Sequence, residues 1–375
     1  MSKVDFSASK NDRLCFNAEY YDHLADLTRK YQLFFYPIDN SIELFDIRLK
    51  KPFMKRIVYP SIRLEDLYVG SVVNVSGRQL EISDTGDHNT KQKLEGSREQ
   101  TLALIKPDAF EHAGKIVDAI YRDGFRIFKM KKIKLTRSEL EEWASVCRRP
   151  SSEFSDVMIV IVLSAVSCVQ KWLDLVGPDH PSEARKTNID SLRALYGRDP
   201  NRNAVYGSQT PQDAKQEVDF FFGQRSFPPT AVFNEVTCGV IKPHAVLSGK
   251  AGQIMQAILD AGWEITAVES IKLEHENTAE FYEVYKGVVN EYMDMVDELS
   301  SGPSVVMEIR RRGTPNLVQA FRELCGPQDP NVGKILRSST LRAVYGEDRI
   351  KNAIHCTDLE GDAISEVEYF FKILQ

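Results

Sequence analysis

The 375-residue chain is too long for one ordinary hydrophobic core, which argues for two or three domains. With 42% hydrophobic and 27% charged residues and a formal net charge of -6, it has the make-up of a folded globular protein without the global basic surface of a nucleic-acid binder. The opening "MSKVDFSASKNDR" lacks the apolar core of a signal peptide, and the longest uncharged apolar run, residues 157–169, is too short to cross a bilayer, so an intracellular chain without membrane contact is expected.

The first block, residues 1–92, reads as a small all-β domain. "YQLFFYPIDNSIELFDI" alternates aromatic and polar residues around a Pro-Ile-Asp-Asn-Ser turn, the pattern of a hairpin, and "GSVVNVSGRQLEIS" supplies further short strands. The polar stretch "TGDHNTKQKLEGSREQ" reads as a connector into the remainder of the chain.

That remainder is a duplication. "LALIKPDAFEHAGKIVDAIYRDGF" from Leu102 returns as "CGVIKPHAVLSGKAGQIMQAILDAGW" from Cys238. Later landmarks repeat at an offset of 149: Arg193 with Arg342, Asn203 with Asn352, Tyr206 with His355, Glu217 with Glu366. Gly114 and Gly252 are only 138 apart, so the first copy, residues 98–225, lacks 11 residues that the second, residues 234–375, retains. Each copy begins with an apolar strand (101–105; 237–241), continues with a helix and a strand after "DGF" or "AGW", and adds a second apolar strand (157–163; 304–309), a helix and a closing aromatic segment. That order fits two α+β ferredoxin-like (βαββαβ) units, joined by the linker-like "FGQRSFPPTAVFNE".

The six cysteines form no CxxC pair and the seven histidines no metal-ligand spacing, so reduced, mostly buried thiols and no bound structural metal are expected. Chemistry is best sought at His355, because imidazole is the side chain poised near neutral pH to act as base or nucleophile. Lys242, Arg322 and Arg342 suit a polyphosphate, Tyr282 and Tyr292 suit a flat base, and Glu366 suits a hydrogen bond that fixes the histidine tautomer. Tyr206 cannot replace His355, since a phenol of pKa roughly 10 forms a low-energy phosphate ester.

"VIKPHAV", "SGP", "LRAVYG", "NAIHCTD" and "SEVEYFF" resemble the nucleoside diphosphate kinases over most of each repeat. The resemblance implies that His355 takes the γ-phosphate of a nucleoside triphosphate and passes it to a diphosphate, with Mg2+ on the phosphates and Glu366 as orienter. It also implies Lys242, Tyr282, Tyr292, Arg322, Arg342, Asn352 and Thr357 as nucleotide contacts, Thr357 keeping the hydroxyl of the family's serine. Gln328 replaces a family threonine and Cys356 a family glycine, while Leu173 takes the place of Arg322 in the first copy, which is therefore expected to be inactive. The first block resembles DM-10 domains through "EYYDHLADLTRKYQLFFYP" and "RLEDLYVGSVVNVSGRQLEISDTGD". Such domains lie inside ciliary doublet microtubules, so this resemblance implies a cytoplasmic, cytoskeletal protein of the axoneme that binds tubulin and neighbouring inner proteins. The alternative is a soluble enzyme that supplies nucleoside triphosphates.

Overall fold

The computed structural model describes residues 13–22, 25, 27–59, 62–67, 71–95 and 99–375. The opening segment tested for signal-peptide character, residues 1–12, lies outside them. Two compact units divide at residue 97.

The described residues of the first unit form an antiparallel sheet of six strands: β1 (Leu14–Asp22), β2 (Leu27–Tyr36), β3 (Ser41–Asp46), β4 (Lys51–Val58), β5 (Val72–Val75) and β6 (Arg78–Thr85), in the order β4-β3-β2-β1-β6-β5. The expected hairpin closes with Tyr36 opposite Ser41, and β5 and β6 close with Val75 opposite Arg78. That second turn places Ser76 and Gly77 at φ 51° and 76°, the left-handed pair that a two-residue hairpin needs. Alternate residues such as Leu33, Phe35, Ile42 and Leu44 face the core. The expected connector is instead helical at His88–Glu95. Asp87 caps it by accepting from Thr90 N at 2.6 Å, and the buried Thr90 hydroxyl receives Cys15 N at 2.8 Å.

The second unit holds both repeats in one sheet of eight strands: β7 (Glu99–Ile105), β8 (Arg126–Lys134), β9 (Val157–Ala165), β10 (Val205–Gly207), β11 (Thr237–Ile241), β12 (Glu264–Lys272), β13 (Pro303–Arg310) and β14 (Ile354–Cys356). The order β10-β7-β9-β8-β12-β13-β11-β14 is the antiparallel ferredoxin-like arrangement read outward from a shared edge. The strand that closes each repeat is the motif itself. The aromatic segments expected to close it are helical, at Pro211–Phe222 and Ala363–Glu368, the latter followed by a π-helical turn.

At the shared edge, Met130 N donates to Ser270 Oγ at 2.8 Å and Lys131 pairs with Glu269 at 3.2 Å. Behind it, the helices Ala113–Arg122 and Ala251–Asp260 cross at their glycines. A Cβ on Gly114 would lie 2.3 Å from Gln256 N, and one on Gly252 would lie 2.2 Å from Asp118 N, so only hydrogen allows this approach. The linker is docked rather than free. Glu308, fully buried, accepts Val232 N and Phe233 N at 2.8 Å each, and Phe227 is buried.

The missing residues divide into two places. Helices beginning at Arg137 and His275 still stand 138 apart, but Ile159 and Val305, which pair with equivalent strand residues, stand 146 apart. The offset reaches 149 only at Ser167 and Asn316, both left-handed at φ 50°. Eight residues are thus absent before β9 and three after it.

Candidate active site

β14 lies against β11 with His355 opposite Val240. The turn into it is strained, since Ala353 is a non-glycine residue at φ 71°. Three contacts enforce that conformation: Ala353 O accepts Lys242 N at 2.9 Å, Ala353 N donates to His244 Nε2 at 3.2 Å, and His244 Nδ1 meets Glu298 at 2.6 Å. Because His244 Nε2 accepts, its proton resides on Nδ1, directed at the carboxylate. The first repeat holds the equivalent Ala204, φ 69°, with Asp108 in place of the histidine.

The His355 ring sits among Phe281 and Tyr282, with ring centroids 5.1 and 5.8 Å away. Its Nε2 lies 3.1 Å from Glu366 Oε2, an oxygen that also accepts the Thr357 hydroxyl at 2.8 Å. A carboxylate only accepts, so Nε2 carries the proton and the Nδ1 lone pair is free. His355 lines a cleft of about 550 Å³ that Glu366 does not reach.

Lys242, Tyr282, Arg322, Arg342, Asn352 and His355 all line this cleft, as do Cys356 and Gln328. Lys242 Nζ donates to Ile350 O at 2.7 Å, and burial, reinforced by Arg342, brings its ammonium down to about 7. Arg342 is held by Gly326 O and Ile354 O, both at 3.0 Å, and its Nη2 reaches Cys356 Sγ at 3.4 Å. Arg322 donates to Asp358 O at 3.0 Å. The Asn352 Oδ1 and the Tyr282 hydroxyl are buried without a partner, two polar atoms suited to a polar ligand.

Three expectations are corrected. Thr357 does not line the cleft: it is fully buried, its hydroxyl donating to Glu366 Oε2 at 2.8 Å and accepting Cys238 N at 3.1 Å, so it supports Glu366 instead of touching a nucleotide. Tyr292 does not line the cleft; its hydroxyl donates to Ala279 O at 3.1 Å and its ring packs into the core with Met295 and Val296. Tyr282 does line it, but as a fully buried wall beside His355, so it cannot serve as an outer platform for a base. The outer wall is made by Tyr285, Val289 and Leu336. Tyr285 donates to Asp358 Oδ2 at 2.5 Å, and burial together with that carboxylate pushes its phenol well up. Tyr285 comes three residues after Tyr282, one helical turn, and Asp358 closes the "NAIHCTD" motif. Those spacings are the signals that could have revealed both.

The corresponding place in the first repeat is filled by the protein itself. Tyr206 donates to Glu217 at 2.6 Å between the edges of Trp143 and Phe154. Arg193 pairs with Asp179 at 2.8 Å, Asp179 with Arg149 at 3.0 Å, and Lys106 donates to Asn203 Oδ1 at 2.7 Å. Each cation equivalent to a phosphate contact is thereby engaged within the chain.

The sequence profile described as Nucleoside diphosphate kinase matches residues 99–227 and again residues 235–374. The chain is 42% identical to Nucleoside diphosphate kinase homolog 7 of Rattus norvegicus, covering 98% of this chain and 94% of that protein, and 43% identical to the Mus musculus protein of the same name, covering 98% and 96%. It is 30% identical to human Thioredoxin domain-containing protein 3 over 73% of this chain and 46% of that protein. Two tandem matches, full-length similarity and a buried histidine oriented by a carboxylate in a cationic cleft agree: the chain belongs to the nucleoside diphosphate kinase family.

Proposed function

We propose that the second repeat transfers phosphate between nucleotides through His355. The observation that carries this is the Glu366 hydrogen bond to Nε2, which leaves Nδ1 as the nucleophile facing Lys242, Arg322 and Arg342. Nδ1 attacks the γ-phosphorus of a triphosphate, the bond to the β-bridging oxygen breaks, and the diphosphate leaves. A second diphosphate then takes the phosphoryl group back by the reverse attack. The cations neutralise the three phosphates, and Glu366 stabilises the charge that develops on the imidazole.

Mg2+ belongs to the substrate in this scheme. Among the described residues no trio of His, Cys, Asp or Glu gathers to hold a metal, and the Asp358 carboxylate on the cleft wall is shared with Tyr285 and Arg322. The ion's role there is to draw charge from the phosphates it accompanies.

Incubation with γ-labelled ATP tests the reading: acid-labile, alkali-stable label that discharges onto GDP and disappears in His355→Ala is the expected result. A wild-type chain that takes no label beside an active control enzyme would sink it.

The closed first repeat favours a second, compatible role as a rigid block in an assembly. With the DM-10 resemblance of the first unit, we propose that the chain is a doublet-microtubule inner protein that binds tubulin and neighbouring inner proteins. Tagged protein that stays with detergent- and salt-extracted axonemes supports this, and tagged protein released entirely by detergent contradicts it.

A further inference from the structure

Helix Leu317–Cys325 and strand β14 end beside each other on two thiols. Cys325 and Cys356 are buried in one cluster. Arg342 Nη2 stands 3.4 Å from Cys356 Sγ, and only Cys356 of the pair lines the cleft. The neighbouring Cys325 thiol and the charge of Arg342, opposing desolvation, hold the Cys356 thiol below the usual thiol range. Burial drives the other way elsewhere: Cys15 and Cys147 rise to about 11 and Cys168 to about 12.

The pair is confined to the repeat that carries the histidine. At the same offset of 149, Cys356 becomes Gly207 and Cys325 becomes Val176. A Cβ on Gly207 would lie 2.5 Å from the Trp172 ring, whose Nε1 donates to Tyr206 O at 3.1 Å. Tryptophan thus occupies in the first repeat the space that sulfur occupies in the second.

We propose that Cys356 and Cys325 form a peroxide-sensitive dithiol that switches off the His355 site. Cys356 lines the cleft, which is where hydrogen peroxide would meet it. The thiolate attacks one peroxide oxygen, the S–O bond forms as the O–O bond breaks, and the departing hydroxide takes a proton to become water. Cys356 is oxidised by two electrons to a sulfenic acid and the peroxide is reduced. Cys325 sulfur then attacks Cys356 sulfur, its own proton leaves with the hydroxyl as a second water, and the disulfide forms.

The functional effect comes from what the two sulfurs hold. Disulfide formation alters the sulfur that accepts from Arg342 Nη2 and ties the end of β14 to helix Leu317–Cys325, one residue from Thr357, which shares Glu366 with His355. This regulatory consequence rests on the phosphotransfer reading, whereas the dithiol itself does not.

The experiment treats the reduced full-length chain with hydrogen peroxide, blocks remaining thiols with N-ethylmaleimide, and reads peptide masses beside ATP-to-GDP transfer. Expected are a cross-linked Cys325–Cys356 peptide pair, transfer reduced roughly a hundredfold, the scale of a small misplacement of catalytic groups, and, with dithiothreitol, loss of the cross-link and return of transfer. Cys325→Ser should leave a Cys356 sulfenic acid trappable by dimedone, Cys356→Gly should give neither product, and bound ADP should slow oxidation. Free Cys325 and Cys356 after peroxide, or a disulfide that leaves transfer unchanged, would overturn the switch. A reduced chain that never labels at His355 would overturn the phosphotransfer reading instead, and peptide masses would still decide the dithiol.

Discussion

Glu366 Oε2 stands 3.1 Å from His355 Nε2, and this one hydrogen bond selects which ring nitrogen is offered to the cleft. Glu366→Ala removes the orientation while leaving the cations in place. Phosphotransfer should fall by roughly 10–100-fold, as when other outer partners of a working histidine are lost, while ADP affinity stays close to that of wild type. Rapid-quench measurement of His355 phosphorylation beside ADP titration separates the two; equal losses in rate and affinity would assign Glu366 to binding instead.

Restoring the nucleophile to the first repeat should fail. In a His355→Ala background, Tyr206→His would place an imidazole between Trp143 and Phe154, behind the Arg149–Asp179–Arg193 ion network. No acid-labile label is expected. Label on the introduced imidazole would mean that the network opens to nucleotide.

How much of this was legible in the chain depends on what each feature rests upon. The duplication, the strands and the His355–Glu366 pair are local or repeat at fixed offsets, so they can be read along the sequence. The shared sheet, by contrast, depends on a helix crossing that two isolated glycines permit, and glycine alone signals only an opportunity. Helix His88–Glu95 has few apolar residues and owes its position to the Asp87 cap and the Thr90 anchor, a long-range contact invisible to periodicity. Tyr292 and Tyr285 share a chemistry and a segment, and only packing decides which one faces the cleft. Filling of the first site required Phe154 and Trp143 to meet Tyr206 from distant positions.

Gly252→Ala tests the joint between repeats. The new methyl would meet Asp118 backbone at 2.2 Å, and neither helix can shift without breaking the Gln253–Asp118 and Gln256–Glu111 hydrogen bonds. A loss of about 3 kcal/mol is expected, the upper part of the usual overpacking range, read by urea denaturation. The exposed Gly361→Ala, with nothing within 4 Å of its Cβ, serves as the neutral control. Equal stability of the two variants would show that the helices separate without cost.

Lys242 makes nucleotide binding pH-dependent. Burial and Arg342 bring its ammonium down to about 7, far below the ~10.4 of an unfolded lysine. Between those values the unfolded chain binds more protons than the folded one, so this group's contribution to stability rises with pH from about 7 to ~10.4. Anionic phosphates in the cleft reverse the balance by favouring the charged form. At pH 8 ADP binding should therefore take up close to one proton, and affinity should weaken as pH climbs above 7. Calorimetry in buffers of different ionisation enthalpy measures the uptake directly, and Lys242→Met should bind more weakly with the uptake gone. Wild-type binding without proton uptake would mean that Lys242 is already charged in the free cleft, its cost of burial offset by the Ile350 carbonyl alone.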